Sequence, residues 1–170
     1  MHKLRDALGD AEAGLKSQLE EIAGKGKIYV LGLGNTDRAD DGAGILVAES
    51  LKKLFPSNSF SEHDGIEGTV LDISEREGKA TVFIIDAADM KKDPGATMLV
   101  RKEDIKETEI TTHRVAVALM ASILDKAGKT SAVICIQPET VEFRGDVSPG
   151  VRRTIDMVVR VLTGMMKPRR

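Results

Sequence analysis

Thr81-Val82-Phe83-Ile84-Ile85, with Asp86 directly behind it, is the stretch that decides the fold. The run is uncharged and rich in β-branched residues, with no polar alternation. A strand of this kind is buried on both faces, as in the centre of a parallel sheet. Upstream, Ile28-Tyr29-Val30-Leu31 reads as a second buried strand running into Gly32-Leu33-Gly34-Asn35. Ile45, Leu46, Ala48, Leu51 and Leu54 then follow a helical period up to Pro56. Asn58 to His63 form a short strand, and Val70, Leu71 and Ile73 a helical turn. Downstream, Lys91 to Pro94 read as a turn and Ala96 to Val100 as a further short strand. His113 to Lys126 are helical, Ser131 to Ile136 are a strand, and Ser148-Pro149 open a last helix through Val151, Ile155, Val158, Val159 and Leu162. Strands alternating with helices in this way predict a three-layer α/β domain with a mainly parallel sheet.

Ahead of the first strand, Leu4, Leu8, Ala11, Leu15, Leu19 and Ile22 recur at spacings of three and four. Residues 1–26 are therefore expected to form an amphipathic helix packed on the core of a domain spanning 27–165. Those 26 residues are too charged for a signal peptide. The longest uncharged apolar run, Val115 to Leu124, is about half of what crosses a bilayer. A cytoplasmic protein without membrane insertion is the expectation. The basic tail Lys167-Pro168-Arg169-Arg170 is expected to fray.

Composition narrows the chemistry. The 170 residues carry 25 Lys and Arg against 27 Asp and Glu, which offers no electrostatic footprint for nucleic acid. Five aromatic residues leave little for base stacking. One cysteine excludes a disulfide framework, and any imidazole chemistry must use His2, His63 or His113. Gly32-Leu33-Gly34 invites a dinucleotide reading, but Asp37 stands where the third glycine belongs. Asp37, Asp40 and Asp41 also crowd the helix entrance where a phosphate would sit. Cys135 falls inside a strand and reads as a small buried hydrophobe, and no serine lies in a nucleophile elbow. His63 and Asp64, read as neighbours in an extended segment, point to opposite faces and form no dyad.

What remains gathers on one rim. Function in a parallel α/β sheet collects outside the carboxyl ends of the strands. Asp40-Asp41 follow the first strand, Asp64 the second and Asp86 the third, while Thr111-Thr112-His113 open a helix on that same edge. Carboxylates with one imidazole suit a divalent transition ion and leave positions open for a further ligand. Acids crowded without a nearby Lys or Arg would otherwise have raised pKa values. Each residue also has a local use. Asp41 caps the helix near Gly42, Asp64 serves a turn, Asp86 bonds loop amides, and His113 sits solvated in a first turn capped by Thr111 or Thr112. A cation is disfavoured at a helix start, so His113 is expected to be neutral.

These residues resemble the hydrogenase maturation endopeptidases, which process the large subunit of nickel–iron hydrogenases. The likeness is carried by Gly32-Leu33-Gly34-Asn35, Asp40-Asp41-Gly42-Ala43-Gly44, Ile85-Asp86-Ala87-Ala88-Asp89-Met90, Pro94-Gly95, Thr111-Thr112-His113 and Ile136-Gln137-Pro138-Glu139. It runs from about Lys27 to Leu162. The resemblance implies an α/β/α sandwich with a mixed, largely parallel five-stranded sheet. It implies a nickel-dependent, aspartic-type peptidase that cuts the C-terminal extension from the large-subunit precursor after nickel insertion, the nickel being carried by the substrate. By the same likeness the metal-contacting positions are Asp41, Asp86 and His113, and Asp64 acts in substrate recognition or cleavage. After Asp64 this chain reads Gly65-Ile66-Glu67-Gly68-Thr69, where relatives often carry a Pro-Glu-containing loop. A monomer acting on the precursor is expected. The competing expectations are a nickel-binding checkpoint or carrier without proteolysis, and a divalent-metal hydrolase with another substrate.

Overall fold

The computed structural model describes residues 2–104 and 113–167, and for residues 2–8 and 114 the backbone alone. Five strands form one sheet: β1 (Lys27–Gly32), β2 (Ser59–Ser61), β3 (Ala80–Ala87), β4 (Thr97–Arg101) and β5 (Thr130–Ile136), in the order β2-β1-β3-β5-β4. The first three pairings are parallel and β4 runs antiparallel to β5. All eight residues of β3 are buried, as the uncharged run requires at the centre of the sheet.

Strand alternation sends side chains to two separate cores. Val30, Phe83, Ile85, Ala132, Ile134 and Ile136 face α1 (His2–Ile22), α2 (Ala43–Lys52) and α5 (Pro149–Met166). Tyr29, Leu31, Val82, Ile84, Val133 and Cys135 face α3 (Ile66–Glu75) and α4 (Arg114–Lys126). Asp86 shares the parity of Val82 and Ile84, so β3 aims its carboxylate toward the α3–α4 layer. Leu15 and Leu19 of α1 are buried in the first core, and α1 lies against α5. Among the described residues, no helix is long and apolar enough to cross a membrane.

The chain leaves β1 toward α2 on one face and returns from β2 through α3 on the other. The β1–β3 boundary is therefore the topological switch point of the sheet, where a crevice opens at the strands' carboxyl ends. Two glycines shape that edge. Gly34 has φ 130°, and a Cβ there would strike the Asp41 carbonyl. A Cβ on Gly44 would strike the carbonyls of Leu33 and Ile85, so glycine lets α2 begin hard against β1 and β3. Close packing, not phosphate binding, explains these glycines.

Two local expectations are corrected. Glu62–Asp64 is a 3-10 turn, not extended chain. Ser61 and Asp64 make a reciprocal capping box in which Ser61 N donates to Asp64 Oδ2 at 2.9 Å, and this winds the segment. The helix entered at Ala43 stops at Lys52, short of Pro56. Thr111, Thr112 and the tail residues 168–170 lie outside the described residues, so the expected caps of His113 and the fraying tail do too.

Candidate functional site

The loop after β1 divides its two aspartates. Asp37 N donates to Asn35 Oδ1 at 2.9 Å and Asp41 N to the Arg38 carbonyl at 3.0 Å, coiling residues 35–41. Ala39 takes φ 45°, and the turn buries Asp40 completely while leaving Asp41 half-buried. Asp40 Oδ2 accepts from Glu139 N (2.8 Å), Thr140 N (3.1 Å) and Ser148 Oγ (2.9 Å), and its Oδ1 accepts from Ser148 N (2.7 Å). Asp40 is thus a rivet between this loop and the one after β5. Asp41 makes no side-chain cap on α2, whose N-cap is Gly42. The capping use open to Asp41 is not the one it takes.

Asp86 emerges from β3 with no exposure to solvent. His113, the N-cap residue of α4, donates from Nδ1 to Asp86 Oδ2 at 3.1 Å. Among the described residues, Asp86 Oδ1 is buried without a hydrogen-bond partner. Burial pushes the Asp86 carboxyl above its ordinary pKa; the His113 bond opposes this, and the Asp41 charge adds to it. The His113 imidazole is pushed up in turn, chiefly by its bond to Asp86, with further help from Glu62 and Asp41. The direct carboxylate contact thus raises the imidazole pKa where the helix start alone would lower it. Asp41, Asp86 and His113 therefore feel one another's charge.

Glu62 belongs to this group and was not singled out from the sequence. Its Oε1 lies 3.8 Å from His113 Nε2. The signal was its place directly after β2, on the same rim as the aspartates. Gln137, named from the sequence only within the run that carries the likeness, accepts at Oε1 from Met90 N at 2.7 Å, which pins the loop after β3 to the end of β5.

Asp64 is held by partners of its own. It bonds Lys52 Nζ at 2.5 Å and Ser61 N, so the expectation of acids without a basic neighbour is corrected at this position. Lys52 first, then Ser61 N, hold its carboxyl below the usual range. A lowered folded pKa makes Asp64 stabilising above its unfolded value near 4, a contribution lost as pH falls through the folded value. The stability gap between wild type and Asp64→Asn is expected to stay under about 1 kcal/mol at pH 7 for so exposed a pair. It should close below pH 4 in urea titrations.

Two carboxylates and an imidazole are donor types that a divalent transition ion accepts, and among the described residues Asp86 Oδ1 has no hydrogen-bond partner. Among the described residues, no three His, Cys, Asp or Glu side chains are gathered around one point as a ready metal cage. Cys135 pairs in register with Asp86, and burial pushes its thiol up to about 12. A thiol so raised holds almost no thiolate at pH 8. Native protein is expected to leave Cys135 unlabelled by a disulfide reagent, and denatured protein to label it fully; rapid native labelling would contradict the burial.

A family model described as hydrogenase maturation protease matches residues 47–165. The hydrogenase 3 maturation protease of Escherichia coli is 30% identical over 138 residues, covering 79% of this chain and 88% of its own. The hydrogenase 2 maturation protease of the same organism is 27% identical over 139 residues, covering 76% and 84%. In structure, the chain is similar to the NiFe hydrogenase maturation protease HycI from Thermococcus kodakarensis. The TM-score is 0.73 at 23% identity, covering 88% of this chain and 99% of that one.

Proposed function

We infer the function from one premise: the chain belongs to the hydrogenase maturation protease family. It is accordingly a peptidase of hydrogenase maturation. Within that activity we propose that it removes the C-terminal extension of a nickel–iron hydrogenase large-subunit precursor once nickel is inserted. Asp41, Asp86 and His113 are proposed to read nickel that the precursor itself brings. The observation that carries this reading is the Asp86 carboxylate, buried at the switch point and bonded to His113 through one oxygen, the other having no hydrogen-bond partner among the described residues.

We propose the following roles. The Nδ1 bond to Asp86 orients the ring, and Nε2, on the side facing Glu62, is proposed to meet an incoming ion or proton. Asp41 adds negative charge that both partners feel. A precursor whose nickel is already held by its own cysteines docks that ion against these donors. Docking fixes the nearby scissile peptide beside a water, the ion serving mainly as a positioning template. Asp64, ionised and tied to Lys52, is a weak base but a good acceptor. It is proposed to orient the cleavage-site segment or assist proton transfer.

The test is to incubate the protein with nickel-loaded and nickel-free precursor and weigh the products. Loss of a C-terminal fragment from the loaded precursor alone is the expected result. Cleavage without metal removes nickel from the proposal, and nickel-dependent binding without cleavage turns the reading to a carrier or checkpoint.

A further inference from the structure

A groove of about 470 Å³ runs from the candidate site between α3 and α4. Glu62 and His113 line it, and Ile66, Val70, Leu119 and Met120 give it apolar walls. Leu71 and Leu119 flank it at 51% and 62% exposure, where helices facing only water carry polar residues. The other charged residue lining it is Glu67, so the described charges along it, apart from His113, are acidic.

We propose that this groove seats the stretch of the precursor adjoining the scissile bond, as an apolar segment with a basic side chain set against Glu62 and Glu67. The inference rests on the proteolytic reading and names where the substrate lies. Three observations favour this occupant. The groove shares Glu62 and His113 with the site, so a polypeptide crossing the site passes directly into it. Its apolar walls and acidic residues match a segment that is both apolar and cationic. Its length suits a peptide: the lining stretch of α4, Ala116 to Ile123, spans about 12 Å, which an extended chain covers in about three or four residues.

The probe is a labelled synthetic peptide spanning the cleavage site of the large subunit made by the same cell, used beside the nickel-loaded precursor. Leu119→Glu places a charge on the groove wall at an exposed position, and its fold is checked by circular dichroism and a thermal melt. It is expected to weaken peptide binding and raise KM for the precursor at least about tenfold, the loss falling in KM rather than kcat. Leu54→Glu, an equally exposed leucine beyond α2, is expected to change neither. If wild type cleaves and Leu119→Glu shows unaltered binding and KM, the groove proposal fails and the proteolytic reading stands. If wild type binds the peptide in a Leu119→Glu-sensitive way yet never cleaves, the proteolytic reading fails and the groove stands. If neither protein binds the peptide, the groove proposal is overturned whatever the activity. Sedimentation that shows a wild-type dimer dissociated by Leu119→Glu, with KM unchanged, assigns the groove to a second copy and also overturns it.

Discussion

Asp86→Asn is expected to lower precursor processing at least about a hundredfold while moving stability by no more than about 1.5 kcal/mol. The two halves of this expectation have different causes. For the fold, the Asp86 charge is a burden. The carboxyl is fully buried, burial raises its pKa, and Oδ1 meets no partner among the described residues. A raised folded pKa means this group opposes folding once pH exceeds its ordinary value, and the opposition vanishes as pH falls below it. His113 works with the other sign: its raised pKa adds stability at low pH that fades as pH rises through the folded value. An amide of the same shape relieves the burial cost, still accepts from His113 Nδ1, and forfeits the ionic part of that bond. Losses and gains of this kind are each about 1 kcal/mol and offset one another. For processing, nothing offsets the change. The amide is a poor donor to a divalent ion, and loss even of a supporting carboxylate beside a metal ligand costs ten- to a hundredfold. Urea titration and mass analysis of the precursor separate the two. A folded variant that processes normally removes Asp86 from the site.

What the residues reveal in advance depends on how far away their partners lie. The β1, β3 and β5 strands are legible because an uncharged, β-branched run admits only a buried, parallel environment. The direction of β4 is a different matter. Its residues read as a strand either way, and the antiparallel course follows from a short, helix-free link out of β3, since a parallel return needs a crossover of a dozen residues or more. Asp86 was legible as a rim residue because it directly follows its strand core. The upward push on the His113 pKa was not, because the partner that causes it lies 27 residues earlier. The turn at Glu62–Asp64 could have been read from Ser61 and Asp64, three apart as a capping box requires, and with it the placement of Glu62 beside His113. The division of labour between Asp40 and Asp41 could not. Two adjacent aspartates look alike locally, and the donors that separate them sit 99 to 108 positions downstream.

That division predicts opposite phenotypes at neighbouring positions. Asp40→Ala is expected to destabilise the protein by about 3–5 kcal/mol, because it strands the backbone N–H groups of Glu139, Thr140 and Ser148 and the Ser148 hydroxyl around a buried void. In a chain of this size each kcal/mol lowers Tm by about 2–4 °C, so a fall of about 10 °C is expected. Asp41→Ala removes a half-buried side chain that caps no helix, so its stability cost is about 1 kcal/mol or less, yet it is expected to abolish processing. Asparagine sharpens the contrast. At position 40 both carboxylate oxygens face donors only, so an amide NH2 meets another donor whichever way it is flipped. Asp40→Asn is therefore expected to cost nearly as much as alanine. Thermal melts of the three variants, with processing assayed well below each Tm, give the comparison. An Asp40→Asn protein as stable as wild type would refute the rivet, and an active, folded Asp41→Ala protein would remove Asp41 from the donor set.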